Sequence, residues 1–222
     1  MDFIHYDSPD ERGIDTALLF HKEFFEPEHC EPLPVILYNA DGSRDYTRDI
    51  TYVRGNLNGE RLHVFVNHWP SRRDGDHETV SKRLAASDTI LSYMNILEQE
   101  EENPNYVIMG DFNDGPDSES IQLLMSQKPL YNPMETLQSP HRGSAKYKGE
   151  WSIFDQILIS HSFLQYAPGT HSFDQANIFD EEFLQEWKEP YKGKPFRTFV
   201  GQKYLGGYSD HFPVYLLLNY HH

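Results

Sequence analysis

The sequence predicts a fold that mixes strands with a few helices, of the α/β or α+β class. Two observations carry this expectation. Short runs rich in β-branched and aromatic residues recur along the chain and end in turn chemistry. Between them lies one long segment with helical apolar spacing.

The expected strands are Asp2–Tyr6, Ile14–His21, Val35–Tyr38, Ile50–Arg54, Leu62–Asn67, Tyr106–Gly110, Ser152–Ser160 and Pro213–Leu218. The string NLNG at 56–59 separates two of them and reads as a hairpin turn. The long helix is expected from about Thr79 to Glu101, with Val80, Leu84, Ile90, Leu91, Met94 and Leu97 on its apolar face. Asn103-Pro104 stops it. A shorter helix is expected over Ser118–Ser126, capped by Asp117. Tyr131–Gly149 and Pro190–Gly207 read as long loops. Glu23, Glu26, Glu28 and Glu31 read as a solvated loop.

The chain has 222 residues, which suits one domain over 1–222. Apolar residues are 38% and aromatic residues 14%, enough to build a core. No apolar run approaches the roughly 20 residues of a membrane span. MDFIHYDSPDERG has neither the basic region nor the apolar run of a signal peptide. A longer native protein would leave secretion open, so the compartment is not assigned. The net charge is −16, which argues weakly against tight non-specific binding to duplex nucleic acid. One basic stretch stands out, with Lys192, Lys194, Arg197 and Lys203 and no acid among them. Cys30 is the only cysteine, so neither an internal disulfide nor a thiolate cage can form.

Four polar clusters fall at strand ends: VFVNHWPSR from Val64, VIMGDFND from Val107, WSIFDQILIS from Trp151 and YSDHFPVYLLL from Tyr208. Each alone has an ordinary explanation. A His at a strand end is usually solvated, and an Asp after a strand is usually a turn former. Asp155 resists this, because a carboxylate inside an apolar strand needs a partner. GDFN arises by chance about once in a thousand such chains. The four clusters in this order are far more specific.

In that order NHWPSR, GDFND, FDQIL and GGYSDHFPVYL resemble the motifs of the endonuclease/exonuclease/phosphatase superfamily. HYDSPDERGIDTALLF, TRDITYVRG, LYNPM and KPFRTF are similar to one bacterial-looking branch of it. The resemblance spans essentially the whole chain. It implies an α+β fold, the deoxyribonuclease-I-like four-layer α/β/β/α sandwich. It also implies hydrolysis of phosphate esters with a divalent metal, magnesium or alternatively manganese. The substrate would be nucleic acid or a small phosphorylated molecule.

Roles carry over by motif. Asp111 and Asn113 would hold the attacking water and a phosphate oxygen. Asp210 would bind the metal, with Asp111 as a second ligand. His211 would contact the scissile phosphate and move a proton, oriented by Asp155. His68 would contact the phosphate from the opposite side. Asn67 and Arg48 would bind phosphate, a surface role for Arg48 being the even alternative.

Complete members begin with a strand bearing an Asn, then one whose Glu is the main metal ligand. No segment here matches either, so the expected sandwich is incomplete at its N-terminus, the C-terminal two-thirds of the whole. Such a chain exposes sheet edges, which invites a homodimer through the N-terminal edge. It also raises a second reading: an inactive domain that binds a phosphorylated ligand or a protein. A calcineurin-like phosphatase would need an early D-x-H and a later G-N-H, and neither occurs.

Overall fold

A computed structural model describes residues 1–72, 75–147 and 149–222. The N-terminal half holds β1 Asp2–His5, β2 Ala17–Phe20, β3 Phe25–Leu33, β4 Leu37–Tyr38, β5 Arg44–Asp45, β6 Ile50–Leu57 and β7 Glu60–His68. Helix α1, Asp76–Glu100, leads to β8, Tyr106–Asp111. Helix α2, Glu119–Gln127, precedes β9 Leu130–Tyr131, β10 Ala145–Tyr147, β11 Glu150–Ser152 and β12 Asp155–Ser160. The chain closes with β13 His171–Ile178, β14 Phe199–Val200, β15 Lys203–Tyr204 and β16 Val214–Tyr220.

Six strands form the central sheet, in the order β3-β6-β7-β8-β12-β9. The β6–β7 hairpin is the one NLNG predicts. Leu57 pairs with Glu60, and Asn58 and Gly59 both take positive φ, as a tight hairpin turn requires. β7 and β8 are parallel, which needs a crossover, and α1 supplies it.

Side chains alternate across this sheet. Tyr52, Phe65, Ile108 and Leu158 point to one face, where Ala86, Ile90, Met94, Ile121 and Leu124 of the two helices bury them. Their neighbours Val53, Val64 and Ile159 point to the other face and pack with Leu18, Phe25 and Phe163. Phe173 and Leu216 from the β13–β16 pair join them. The layers are therefore helices, central sheet and a second layer of strand pairs. Among the described residues both α-helices lie on the same face, so the second helical layer of a four-layer sandwich is not among them.

The structure departs from the sequence reading in five places. Of the expected acidic loop, Glu23 stays in a turn, but Glu26, Glu28 and Glu31 lie in the edge strand β3, which among the described residues pairs only with β6. Its prolines and charges disguise it, and both are tolerated at an edge. Glu28 meets Arg54 and Arg61 and accepts from Asn56, all on the neighbouring strands. β13 is also unforeseen. It is polar in sequence and is held by pairing with β16. The run Ser152–Ser160 is broken at 153–154, where the Phe154 and Asp155 amides leave the ladder to donate to Ser144 Oγ. Ser118, rather than Asp117, stands at the start of α2. The expected loop 190–207 also contains the small β14–β15 pair.

β1 pairs along its length with β2, and the structure gives no support to a homodimer through the N-terminal edge. Among the described residues no helix is long and apolar enough to cross a membrane.

Candidate active site

Strand register assembles the site. In the parallel ladder His68 is opposite Asp111, and Asn67 is opposite Gly110. In the antiparallel ladder Asp155 is opposite Asp111. Three chemically capable side chains thus share one rung at one end of the central sheet. Gly110 allows the strands to come this close. Its φ is +133°, and a Cβ there would lie 2.0 Å from the Asn67 carbonyl oxygen.

His211 reaches the same rung from the segment before β16. Ala145 bridges to it, and the Phe212 amide donates to the Ser144 carbonyl at 2.7 Å. Ser144 is fully buried. Its hydroxyl oxygen accepts from the Asp155 amide while its carbonyl holds Phe212, so it fixes both halves of the Asp155–His211 pair. His211 Nδ1 lies 2.8 Å from Asp155 Oδ2 and 3.8 Å from Asp111 Oδ2. His68 Nε2 lies 3.6 Å from the same Asp111 oxygen. Asp111 therefore sits between two imidazoles. Its other oxygen accepts from the Asn113 amide at 2.8 Å, and Asn113 is turned into the left-handed region at φ 50°. The Asn113 side-chain amide donates to the Trp69 carbonyl and to Asp111.

The protonation states follow from these surroundings. Burial alone would push the His211 imidazole down. The hydrogen bond to Asp155 and the charges of Asp155, Asp111 and Asp210 outweigh it and hold His211 at about 9. Burial and then the Arg48 charge push His68 down to about 4. Burial and the Asp155 charge push the Asp111 carboxyl up to about 7. At neutral pH His211 is a cation and His68 is neutral.

Other expected residues take supporting positions. Asn67 is buried, donating to the Phe65 and Met109 carbonyls and accepting from the Trp69 indole. Arg48 is buried as well. It donates to the His68 and Trp69 carbonyls and to Asp10 at 2.8 Å. Those bonds fix the strand end that carries His68. Asp210 is exposed and lines a neighbouring pocket, outside the cluster of Asp111, Asp155 and His211.

Burial would raise the Asp10 carboxyl, but the Arg48 hydrogen bond and charge win and hold it below its ordinary value of 3.8. A carboxyl depressed in the fold stabilises above its unfolded pKa and loses that contribution as pH falls through the folded one. The urea midpoint is therefore expected to drop as pH falls from about 5. Asp10→Asn should show a shallower drop, measured by urea melts across that range.

A second network lies beneath the rung. Arg72 Nη2 and Arg83 Nε meet Asp114 at 2.6 and 2.7 Å, and Ser120 donates to Asp114 at 2.6 Å. Gln156 donates to the Asp114 carbonyl and accepts from Asn132. Arg72, Asp114, Gln156 and Asn132 lie within the motif strings NHWPSR, GDFND, FDQIL and LYNPM. The signal was a polar residue beside each better-known one. Arg83, on α1, and Ser144 gave none.

The donor set fits a hard divalent cation. Ligand atoms of Asp111, Asp155 and His211 lie within 4.8 Å of one another. The Asp155 charge beside Asp111 raises the proton affinity of Asp111, which is the environment a cation relieves. Asp155 Oδ2 is engaged with His211, so Asp111 is the more open carboxylate.

The fold recurs in solved structures. A mannosyl-6-phosphatase of Bacteroides thetaiotaomicron superposes with a TM-score of 0.60 at 15% identity, covering 99% of this chain and 77% of that one. The human Nocturnin catalytic domain gives 0.60 at 14% identity, covering 97% and 72%. A humanized D. rerio TDP2 gives 0.59 at 14%, covering 98% and 76%. A search of curated proteins finds no match. The sequence profile described as the Endonuclease/Exonuclease/phosphatase family matches residues 1–220. The match runs through every strand of the central sheet and the whole His68–Asp111–Asp155–His211 rung, so the chain belongs to the endonuclease/exonuclease/phosphatase family.

Proposed function

We propose that the chain is a divalent-metal-dependent hydrolase that breaks phosphate esters by water attack on phosphorus. One observation carries this: the Asp155–His211 pair and His68 flank the Asp111 carboxylate on a single rung. A magnesium or manganese ion, when bound, supplies the charge that neutralises the phosphate oxygens. Asp111 would hold it, with Asp155 beside it.

The chain's own groups do the rest. His211 Nδ1 is engaged by Asp155, which directs Nε2 to the substrate. As a cation it donates to a phosphate oxygen or to the leaving oxygen. His68 is neutral and can accept a proton from water. Asp111, fixed by Asn113, bounds the site between them. The similar solved structures include one named a mannosyl-6-phosphatase and a D. rerio TDP2 complexed with single-strand DNA product, which favours phosphate esters of either a sugar or a nucleic acid as substrate.

The test is release of p-nitrophenol from p-nitrophenyl phosphate and from bis-p-nitrophenyl phosphate, with magnesium, with manganese and with chelator. Metal-dependent turnover of at least one ester is expected. A folded protein that turns over neither ester with either metal would favour the binding-domain reading instead.

A further inference from the structure

Beside His211 the surface opens into a pocket of about 410 Å³. Four cations line it: Lys146, Lys194, Arg197 and Lys203. Two acids, Glu186 and Asp210, also face it. This is a local surplus of two positive charges in a chain whose net charge is −16. Among the described residues none of the four cations is in an ion pair. Unpaired cations on open surface mean little. These converge on a concavity, where their fields add.

The pocket's walls are built rather than trailing. The Phe196 amide donates to the Leu184 carbonyl, and the Leu205 amide to the Thr198 carbonyl. The Tyr208 amide returns to the Phe196 carbonyl at 2.7 Å. At Gly207 a Cβ would lie 2.2 Å from that same carbonyl oxygen, so the two limbs of the loop are pressed together. Two ammonium groups are ordered by rings: Lys194 lies 4.7 Å over Tyr191, and Lys146 lies 5.0 Å over Trp151. Val200 and Leu205 add apolar wall.

The pocket adjoins the catalytic rung, for Asp210 on its wall is close enough to act electrostatically on His211. Asp210 immediately precedes His211, and Lys146 immediately follows Ala145, which bridges to His211. This basin is therefore a neighbouring place for a second group on a substrate whose reacting phosphate lies against His211.

We propose that this pocket binds a second phosphoryl group of the substrate, so that the enzyme prefers phosphate esters carrying two phosphates over those carrying one. The proposal rests on the phosphoesterase reading for its kinetic meaning, but its binding part stands without turnover. The chemistry fits: lysine and arginine side chains are donors matched to phosphate oxygens, and an arginine fork engages two of them at once. The apolar wall suits the sugar between the phosphates. A sugar bisphosphate and a nucleic-acid strand both present two phosphates in this way.

The experiment compares glucose 1,6-bisphosphate with glucose 1-phosphate, and a 5′-phosphorylated thymidine dinucleotide with the unphosphorylated one. Each is titrated by calorimetry into the wild type and into Lys194→Gln/Arg197→Gln, and kcat/KM is measured where turnover occurs. Wild-type protein is expected to bind the doubly phosphorylated compound of one pair at least 10-fold tighter than its partner. The double variant is expected to lose about 10-fold to 100-fold of that discrimination, the effect of removing charge-assisted bonds. Which pair shows it distinguishes a sugar from a strand. Equal affinity for both members of each pair, or discrimination untouched in the folded variant, overturns the proposal. Binding discrimination without turnover would keep this inference and count against the enzyme reading.

Discussion

His211→Ala is expected to lower phosphate-ester turnover by about 10³-fold, within the range for a lost proton-transfer group. The side chain bears the only imidazole that its neighbours keep charged at neutral pH on this rung. Removing it takes away both a proton donor and a positive charge aimed at phosphate oxygens. Asp155→Asn should cost about 10²-fold or more, because the amide no longer stabilises the imidazolium. Both variants should unfold cooperatively, since the rung lies at the sheet's end and none of its four residues belongs to a hydrophobic core cluster. Steady-state kinetics with urea melts as a folding control checks this. A loss under about tenfold in a folded His211→Ala protein would remove the residue from the chemistry.

Asp114→Ala is expected to destabilise the fold by about 3–5 kcal/mol. The carboxylate is 3% exposed and receives Arg72, Arg83 and Ser120 at hydrogen-bond distance. Arg83 is 1% exposed and would lose this carboxylate partner inside the fold. Breaking one partner of a buried pair costs more than the pair itself contributes. The urea midpoint should fall with little change in slope. A loss under about 1 kcal/mol would mean that water replaces the carboxylate. Activity should fall as well, because Arg72 also donates to the Asn113 carbonyl next to the rung.

Much of the site was legible because its residues sit where strands end. An apolar run followed by a polar pair marks both the end of the sheet and the chemistry there, as at His68 and Asp111. The main helix and the NLNG turn were legible for the same local reason. β3 and β13 were not. Their sequences are polar, and their order comes from cross-strand partners distant in sequence. Arg83 lies in no motif of the sequence, and only its packing against Asp114 reveals its place in the network. The placement of Asp210 was equally hidden. Sequence adjacency to His211 does not put the two side chains on the same side of an extended segment.

The parallel joining of β7 to β8 has a consequence for how the molecule assembles. α1 can form from its own local contacts within about a microsecond. The β7–β8 ladder must instead close a long loop before any of its bonds form. Asp155 and His211 arrive from still farther along the chain. Helix signal therefore returns early on refolding, and the four-residue rung is among the last features to be completed. On the ribosome the order is stricter, because His211 emerges only after every strand of the central sheet, and the site has no existence until that sheet has been made.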